Sequence, residues 1–502
     1  MDIGAAPKLK SDDGADGPWE LPDGWRWVAL SEVVDIHDHR RRPIKAGDRQ
    51  ARIAGKSSGE LFPYYGATGQ VGLIDGFLFD FPAILLGEDG APFLDRRRAK
   101  AYAVDGKYWV NNHAHILTPR TSTIGLWLLH SLNFIDYEPH VGGTTRLKLT
   151  KADLERIPIP LAPLAEQRRI VERIETLFAE IAEGEAAMAE ARYGLDTFSR
   201  ALLKAAATGE LTKDWREANP VTETGHDLLA RIAKDRASKG APTARARRAA
   251  DARLLDTSVL PQIPAGWAWA TTRELADVIG GLTKNPDRQK MPIQMPYLRV
   301  ANVQMGSLDL SEMKEIGVSN EERQRASLKD GDLLIVEGNG SIDQIGRCAV
   351  WNGEIANCVH QNHIIKVRFS HTCHSSWCFT WLLSPYGRKE IEQVAASTSG
   401  LHTLSISKIE ALPVPLPPPA EAAEILRRAS EALAANADTL AMLDAEAADA
   451  ARLKQSILKA AFEGRLIPQD PTDEPASVLL ARIASRENVN PAKRKRGRKT
   501  SA

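Results

Sequence analysis

A long stretch of this chain occurs twice. Residues 149–212 realign on 404–467 at a constant offset of 255 with no gap. Pro158, Pro160 and Leu161 meet Pro413, Pro415 and Leu416, and Ala165-Glu166 meets Ala420-Glu421. Leu203-Lys204-Ala205-Ala206 meets Leu458-Lys459-Ala460-Ala461, and Gly209 meets Gly464. Upstream, at an offset of 242, Pro22, Gly24, Trp25, Trp27, Glu32 and Asp35 recur as Pro264, Gly266, Trp267, Trp269, Glu274 and Asp277. Downstream, Leu228-Leu229-Ala230-Arg231-Ile232-Ala233 recurs as Leu479-Leu480-Ala481-Arg482-Ile483-Ala484. A repeat of this length far exceeds the periods of solenoid proteins. The chain therefore reads as a duplicated module, whose two similar surfaces suit a target or partner that comes in two halves.

Two kinds of segment alternate. The first, 21–162 and 263–417, is rich in Gly, Pro, Asn and aromatics. Its short apolar runs, such as Ala83-Ile84-Leu85-Leu86 and Leu333-Leu334-Ile335-Val336, are bounded by turn residues, as strands of a mixed α/β domain are. A short helix is expected near Ile124 to Leu132.

The second kind, 165–207 and 420–462, lacks proline and is rich in Ala, Glu, Leu and Arg. Ile170, Ile174, Leu177, Ile181, Met188, Ala191, Leu195, Phe198, Leu202 and Ala205 follow a 4-3 spacing, with Gly184 its weak member. That is a heptad seam. The second copy is less regular: Leu426, Ala429, Leu433, Leu440, Leu443, Ala450, Leu453 and Ile457. Pro163 and Pro419 precede the starts, Gly209 and Gly464 follow the ends, and Lys204 and Lys459 lie in the last turns. A helix of about 40 residues spans about 60 Å and does not bury its stripe alone. Its own duplicate, packed antiparallel, is the economical partner; the alternative is two separate helices, each lying on its own globular domain. Ala237 to Pro261 reads as a linker or short basic helix, and the basic tail Lys493 to Lys499 as disordered.

Composition narrows the function. A length of 502 residues allows three or four domains, and 43% apolar with 26% charged residues is ordinary for a globular protein. No apolar run reaches the roughly 18 residues of a membrane span. Met1 to Pro18 is polar and does not read as a signal peptide. The four cysteines, all between Cys348 and Cys378, fit a reducing cytoplasm better than a disulfide framework. Net charge is zero, with 18 basic against 16 acidic residues in 21–160 and 15 against 16 in 263–417. Neither block is the strongly basic module of an avid lone nucleic-acid binder. If DNA is the ligand, binding rests on local patches or on partners.

The chain carries no phosphate-loop motif, no dinucleotide fingerprint, no Asn/Asp-Pro-Pro-Tyr/Phe loop and no nucleophile elbow. Cys348, Cys358, His360, His363, His371, Cys373, His374 and Cys378 are conceivable zinc ligands. They lack paired Cys-x-x-Cys units and have no cysteine counterparts in the first repeat, which favours core roles. Polar residues that recur between the divergent globular segments are more informative. Asn112-His113 matches Asn362-His363 at an offset of 250, and Asp89-Gly90 matches Asn339-Gly340 at the same offset. Pro63-Tyr64 matches Pro296-Tyr297 at 233. Such side chains on loops either read base edges or shape turns. For Asp89-Gly90 and Asn339-Gly340 the turn role is favoured. Two basic clusters stand out: His39-Arg40-Arg41-Arg42 with Lys45 and Arg49, and Arg96-Arg97-Arg98 with Lys100. They suit phosphate contacts or a plain solvated surface.

With these residues in view, the chain resembles the specificity subunit of type I restriction–modification systems over essentially residues 21–487. Leu-Pro-x-Gly-Trp at 21–25 and Ile-Pro-x-Gly-Trp at 263–267 look like the openings of that family's target-recognition domains. Pro63-Tyr64-Tyr65-Gly66-Ala67-Thr68-Gly69, Val110 to His115 and Gln361-Asn362-His363 are similar to segments of such domains. Ile157-Pro158-Ile159-Pro160-Leu161 with Ala165-Glu166-Gln167, and Leu412-Pro413-Val414-Pro415-Leu416 with Ala420-Glu421, resemble its entries to two spacer helices; Ala422 stands where Gln167 stands in the first copy.

The resemblance implies a mixed α/β (α+β) fold with two target-recognition domains, 21–162 and 263–417, separated by two long antiparallel helices, 163–209 and 418–464, that form a coiled coil. A tail (1–20), a helical segment and linker (210–262) and a C-terminal segment (465–502) complete the division. It implies a non-catalytic subunit that recognises a bipartite double-stranded DNA target, its helices acting as a ruler. Its partners would be two adenine-methylating subunits and the restriction/translocase subunits, in the cytoplasm and away from membranes. No cofactor is expected in this chain; S-adenosylmethionine, ATP and magnesium would be bound by the partners, and no metal site is expected. The candidate DNA contacts of the first domain are Arg40, Arg41, Arg42, Lys45, Arg49, Tyr64, Tyr65, Thr68, Gln70, Arg97, Asn111, Asn112, His113 and Arg146. Those of the second are Arg299, Asn302, Gln304, Asn339, Ser341, Gln344, Arg347, Gln361, Asn362 and His363. A duplicated coiled-coil scaffold that binds only proteins is the rival reading.

Overall fold

The computed structural model describes residues 17–121, 124–220, 222–238, 255–339, 344–370, 372–395 and 402–489. The N-terminal tail, most of the 237–261 linker, Ser341 and the 493–499 tail lie outside them. The chain forms two compact units. Unit 1 combines the residues up to Ala189 with those from Leu443 onward, and unit 2 is Glu190–Met442. The first long helix, Leu164–Ala207, and the second, Pro419–Phe462, therefore each contribute one half to each unit. Among the described residues, no helix is long and apolar enough to cross a membrane.

Unit 1 contains β1 (Arg26–Ala29), β2 (Val34–Ile36), β3 (Phe62–Gly66), β4 (Gly69–Ile74), β5 (Phe79–Asp80), β6 (Ala83–Gly87), β7 (Ala101–Val104), β8 (Lys107–Val110), β9 (Ala114–Pro119) and β10 (Pro158–Leu161). Unit 2 contains β11 (Ala268–Thr271), β12 (Ala276–Gly280), β13 (Ile293–Leu298), β14 (Lys314–Val318), β15 (Asp332–Val336), β16 (Gly338–Asn339), β17 (Cys348–Trp351), β18 (Val359–His360), β19 (Ile364–Phe369), β20 (His402–Thr403) and β21 (Pro413–Leu416).

The topology is built twice. β1 pairs antiparallel with β10, and β11 with β21. The sheet β2-β9-β6-β7 corresponds to β12-β19-β15-β17, antiparallel throughout. A second sheet, β4-β3-β8-β5, corresponds to β14-β13-β18. Each of these contains one parallel pair, β3 with β8 and β13 with β18. The apolar runs noted in the sequence are the central strands β6 and β15, buried along their whole length. Each lies between two neighbours, so both faces and both edges are covered. Pro158 and Pro160, like Pro413 and Pro415, lack the N–H needed for a second neighbour, so these ribbons stay two-stranded. The expected helix over 124–132 is Gly125–Phe134. Its Trp127 indole donates to the Pro160 carbonyl at 2.8 Å, as Trp377 does to the matching Pro415 carbonyl at 2.5 Å in unit 2.

The two recurrent tryptophans join each globular part to a long helix. Trp25 Nε1 donates to Glu166 Oε2 at 2.9 Å, and Trp267 Nε1 to Glu421 Oε2 at 2.9 Å. All four residues are buried. The far end of the other helix closes the same site: Gly464 sits against Pro22 and Gly209 against Pro264, both glycines at positive φ. The third echo completes each core. The helix Gly225–Ser238 docks through Gly225 N–H to Gly266 O at 2.8 Å, and Ala476–Val489 through Ala476 N–H to Gly24 O at 2.9 Å. A Cβ on Gly225 would lie 2.1 Å from Leu416 O, so only glycine allows that approach. Leu479 and Ile483 thus share a core with Trp25, Ile170 and Phe462.

The long helices pair within each unit. Lys454 reaches Glu185 at 2.7 Å in unit 1, and Asn436 Nδ2 donates to Leu195 O at 3.1 Å in unit 2. The inward face departs from the heptad expectation. Ala191 and Phe198 are exposed, whereas Glu185, Arg192 and Ser199 turn partly inward. From Ile170 to Ala206 the face advances at about 3.6 residues per turn, the repeat of a straight α-helix, where a strict heptad would need about 3.5. Leu202 is buried, but Leu177 only partly.

The two tryptophan-bound carboxylates differ in their surroundings. Glu421 also accepts from Thr212 Oγ1 at 2.9 Å and forms an ion pair with Arg216. The positions matching Thr212 and Arg216 in the other copy are Ile467 and Pro471. Burial pushes the Glu166 carboxyl up, against the hydrogen bond from Trp25. A raised carboxyl stabilises the fold at low pH, and that contribution is lost as pH rises through the folded value. Chemical unfolding across a pH series should therefore show Glu166→Gln costing nothing measurable at neutral pH and removing that loss. Glu421→Ala should cost about 3–5 kcal/mol, because it strands the Arg216 guanidinium.

Candidate nucleic-acid interface

In unit 1, the β3–β4 turn, the segment after β6 and the β8–β9 turn converge on one edge. Thr68 and Gln70 are exposed there, and Gly66 packs beside the Asn111 side chain. Asn111 Oδ1 accepts the His113 N–H at 2.8 Å, which shapes the turn, and Asn112 is exposed at its tip. His113 Nδ1 meets Asp89 Oδ1 at 2.6 Å, and Arg146 Nη2 meets the same oxygen at 2.8 Å. Tyr65 lies half-buried among Tyr102 and Tyr108.

The basic loop serves several purposes. Arg42 and Lys45 are exposed. Arg40 lies over the Phe79 ring at 4.9 Å, and Arg49 over Tyr64 at 4.8 Å. Arg41 turns inward: its side chain is 15% exposed, forms ion pairs with Glu88 and Asp38, and donates to Ala114 O at 2.9 Å. Asp38 also bonds His115 Nδ1 at 2.6 Å. Burial alone would raise the Asp38 carboxyl, but the His115 bond and the charge of Arg41 hold it below its ordinary value. Asp38, Glu88 and His115 bring their ligand atoms within 4.8 Å of one another, and the Arg41 guanidinium already supplies the cation there. The second basic cluster splits likewise. Arg97 is exposed, Arg96 pairs with Asp136, and Lys100 is buried and bound to Asp95 O at 2.7 Å.

Unit 2 repeats the turn. Gln361 N–H bonds Leu298 O at 3.0 Å, as Asn111 N–H bonds Tyr65 O at 3.0 Å. His363 Nδ1 meets Glu337 Oε2 at 2.9 Å, and Asn362 Nδ2 lies 3.4 Å from His363 Nε2. Arg347 reaches Gln304 Oε1 at 3.3 Å and Val300 O at 3.2 Å, and Gln344 is exposed. Arg299 donates to Glu312 O at 2.8 Å. Asn339 lies on β16, and Ser341 is outside the described residues.

Three expectations need correction. Tyr64 and Asn302 are buried inside the fold, Asn302 as the brace of the 299–312 loop through Asp309 O and Glu312 O. Arg41 is an internal counter-ion rather than a free phosphate contact. The third concerns register. Gly87 pairs with Ala114 and Val336 with Ile364, so the segments after β6 and β15 correspond at an offset of 249, not 250. Glu88, not Asp89, matches Glu337: both give their N–H to the histidine carbonyl, at 2.8 and 2.9 Å. A search for basic and amide residues passes over these acids; their shared place before Asp89-Gly90 and Gly338-Asn339 is the signal that could find them. Cys348 and Cys378 lie in one core cluster and Cys358 in another, with burial pushing the Cys348 and Cys358 thiols up to about 12. His360 is bound to Ile364 O at 2.8 Å.

The profile described as "Type I restriction modification DNA specificity domain" matches residues 22–191. The chain is 28% identical over 358 residues to the type I restriction enzyme EcoKI specificity subunit of Escherichia coli (strain K12), covering 69% of this chain and 67% of that one. These matches make the chain similar to type I restriction–modification specificity subunits. It is also 24% identical to the EcoDI specificity subunit of Escherichia coli over 95% of this chain and 98% of that one. A chain solved for the structural basis of complex assembly and conformational transition of the type I R-M system shares the fold. It has a TM-score of 0.56 and 19% identity, covering 89% of this chain and 100% of that one. Arg41→Ala should lower unit 1 stability by about 3–5 kcal/mol, because it removes the inward-facing guanidinium shared by Asp38 and Glu88 and leaves Glu88 only the exposed Lys148 as a cation. Thermal unfolding of the purified chain measures it; an unchanged transition would mean that the ion pairs are dispensable.

Proposed function

We propose that each unit reads one half of a bipartite double-stranded DNA target. The chain is the DNA sequence-specificity subunit of a type I restriction–modification system. The observation that carries the two-half reading is that the same strand order, with its polar turn in the same place, is built once in each unit. Thr68, Gln70, Asn112 and His113 in one unit, and Gln344, Asn362 and His363 in the other, offer the donors and acceptors that base edges require. Exposed Arg42, Lys45 and Arg97 supply phosphate grip. Near-equal charge in each globular segment supports a shared grip, in which two adenine-methylating subunits, and restriction/translocase subunits in the larger assembly, provide the rest. Those partners bring S-adenosylmethionine, ATP and magnesium; this subunit contributes selection without catalysis, in the cytoplasm.

Methylome sequencing of a host that carries this chain with its methyltransferase partner tests the reading: a bipartite methylated motif supports it, and a partner active without this chain's DNA contacts favours the scaffold rival. Exchanging residues 263–417 for the corresponding segment of a relative should change one half of the motif and leave the other intact. A change in both halves would mean that the units are not independent readers.

Arg42→Ala with Lys45→Ala should weaken the assembled methyltransferase on cognate and scrambled duplexes alike. It should also flatten the log–log salt dependence by up to about 0.9 for each phosphate that is no longer neutralised. Affinity titrations at several salt concentrations measure this, and an unchanged slope removes both residues from the phosphate grip.

A further inference from the structure

The β8–β9 turn and its counterpart after β18 each carry a histidine held by a carboxylate. His113 Nδ1 lies 2.6 Å from Asp89 Oδ1, and His363 Nδ1 lies 2.9 Å from Glu337 Oε2. Both rings remain open to solvent, with side-chain exposures of 35% and 56%. The carboxylates occupy different places: Glu337 matches Glu88 in strand register, whereas Asp89 is one residue further on. Simple inheritance of one contact would have kept Glu88 as the partner. Instead Glu88 pairs with Arg41 and Lys148, and the neighbouring acid takes the histidine. Two differently placed acids therefore produce one arrangement.

The chemistry of that arrangement is definite. A carboxylate only accepts, so the proton of each ring sits on Nδ1, and Nε2 points its lone pair outward when the ring is neutral. Among the described residues, His113 Nε2 has no hydrogen-bond partner, and His363 Nε2 has only Asn362 Nδ2, at 3.4 Å. An outward sp² acceptor on a turn matches the exocyclic amino group of adenine or cytosine in the major groove.

We infer that His113 and His363 are base-reading residues, one in each unit, and that Asp89 and Glu337 are positioning residues that fix the ring orientation and the tautomer. This rests on the reading of each unit as a DNA half-site reader. Unit 2 gives the cleaner test, because Asp89 also holds Arg146, whereas the Glu337 carboxylate bonds His363.

The experiment uses the specificity chain assembled with its methyltransferase partner and measures affinity for duplexes with single base-pair changes, together with the methylated motif. His363→Ala should reduce discrimination about tenfold at one base pair of one half-site, as removal of one hydrogen bond implies. Glu337→Ala should act at that same base pair, and the double variant should lose no more than His363→Ala alone. Glu337→Gln, whose amide oxygen still accepts from Nδ1–H, should keep most of the discrimination. His113→Ala should act in the other half-site. Equal losses on cognate and scrambled duplexes would make the histidines phosphate contacts and overturn the inference, as would additive effects of Glu337→Ala and His363→Ala. A wild-type complex that shows no half-site preference would overturn the underlying reading, whatever the variants do.

Discussion

The bond from a tryptophan indole to a buried glutamate, made once in each unit, is the contact on which the rest of the architecture depends. Trp25 comes from the opening of a globular segment and Glu166 from the first turn of a long helix, and the same holds for Trp267 and Glu421. A buried carboxylate needs a donor, and an indole N–H at 2.9 Å supplies one without adding charge. The contact fastens the start of each helix to its own globular part. The end of the other helix, capped by Gly464 or Gly209, then closes over Pro22 or Pro264. Each unit is thus closed by chain from distant parts of the sequence, and each helix belongs to both units.

Within that frame the polar surface is divided between support and presentation. Arg41, Glu88, Asp38 and His115 bind one another beside the β8–β9 turn. Above them, Asn112 and His113 stay open to solvent, and Asn111 shapes the backbone that carries them. Unit 2 reaches a similar surface with fewer charges: Glu337 holds His363, and Asn302 braces the neighbouring loop. A near-neutral module can still present directed donors and acceptors, because hydrogen bonds depend on the orientation of a few groups rather than on total charge.

The helix pair shows how a sequence pattern can be right about partners and inexact about faces. Apolar spacing announces two long helices that pack together, and cross-helix contacts of Lys454 and Asn436 occur in unit 1 and unit 2 respectively. The heptad pattern puts Ala191 and Phe198 inside, yet an α-helix with about 3.6 residues per turn drifts about 20° per heptad away from a strict seam. Over the length of this helix that drift turns Arg192 and Ser199 inward instead.

The sequence by itself determined the duplication, the two kinds of segment, the caps of the long helices and the strands β6 and β15, because these follow from local spacing and from comparing the chain with itself. It also named Asn112, His113, Asn362 and His363, since recurrence within divergent segments singles them out. Only the tertiary structure decided which arginine is spent inside the fold, which acid holds each histidine, and that segments 225–238 and 476–489 complete the two cores. Those outcomes depend on groups brought together across large sequence separations. Arg41 meets Ala114, and Gly24 meets Ala476, through strand register and helix docking that no local pattern encodes. A one-residue difference in the segment after β6 was enough to assign Asp89 rather than Glu88 to His113, and it emerged only from the backbone pairing.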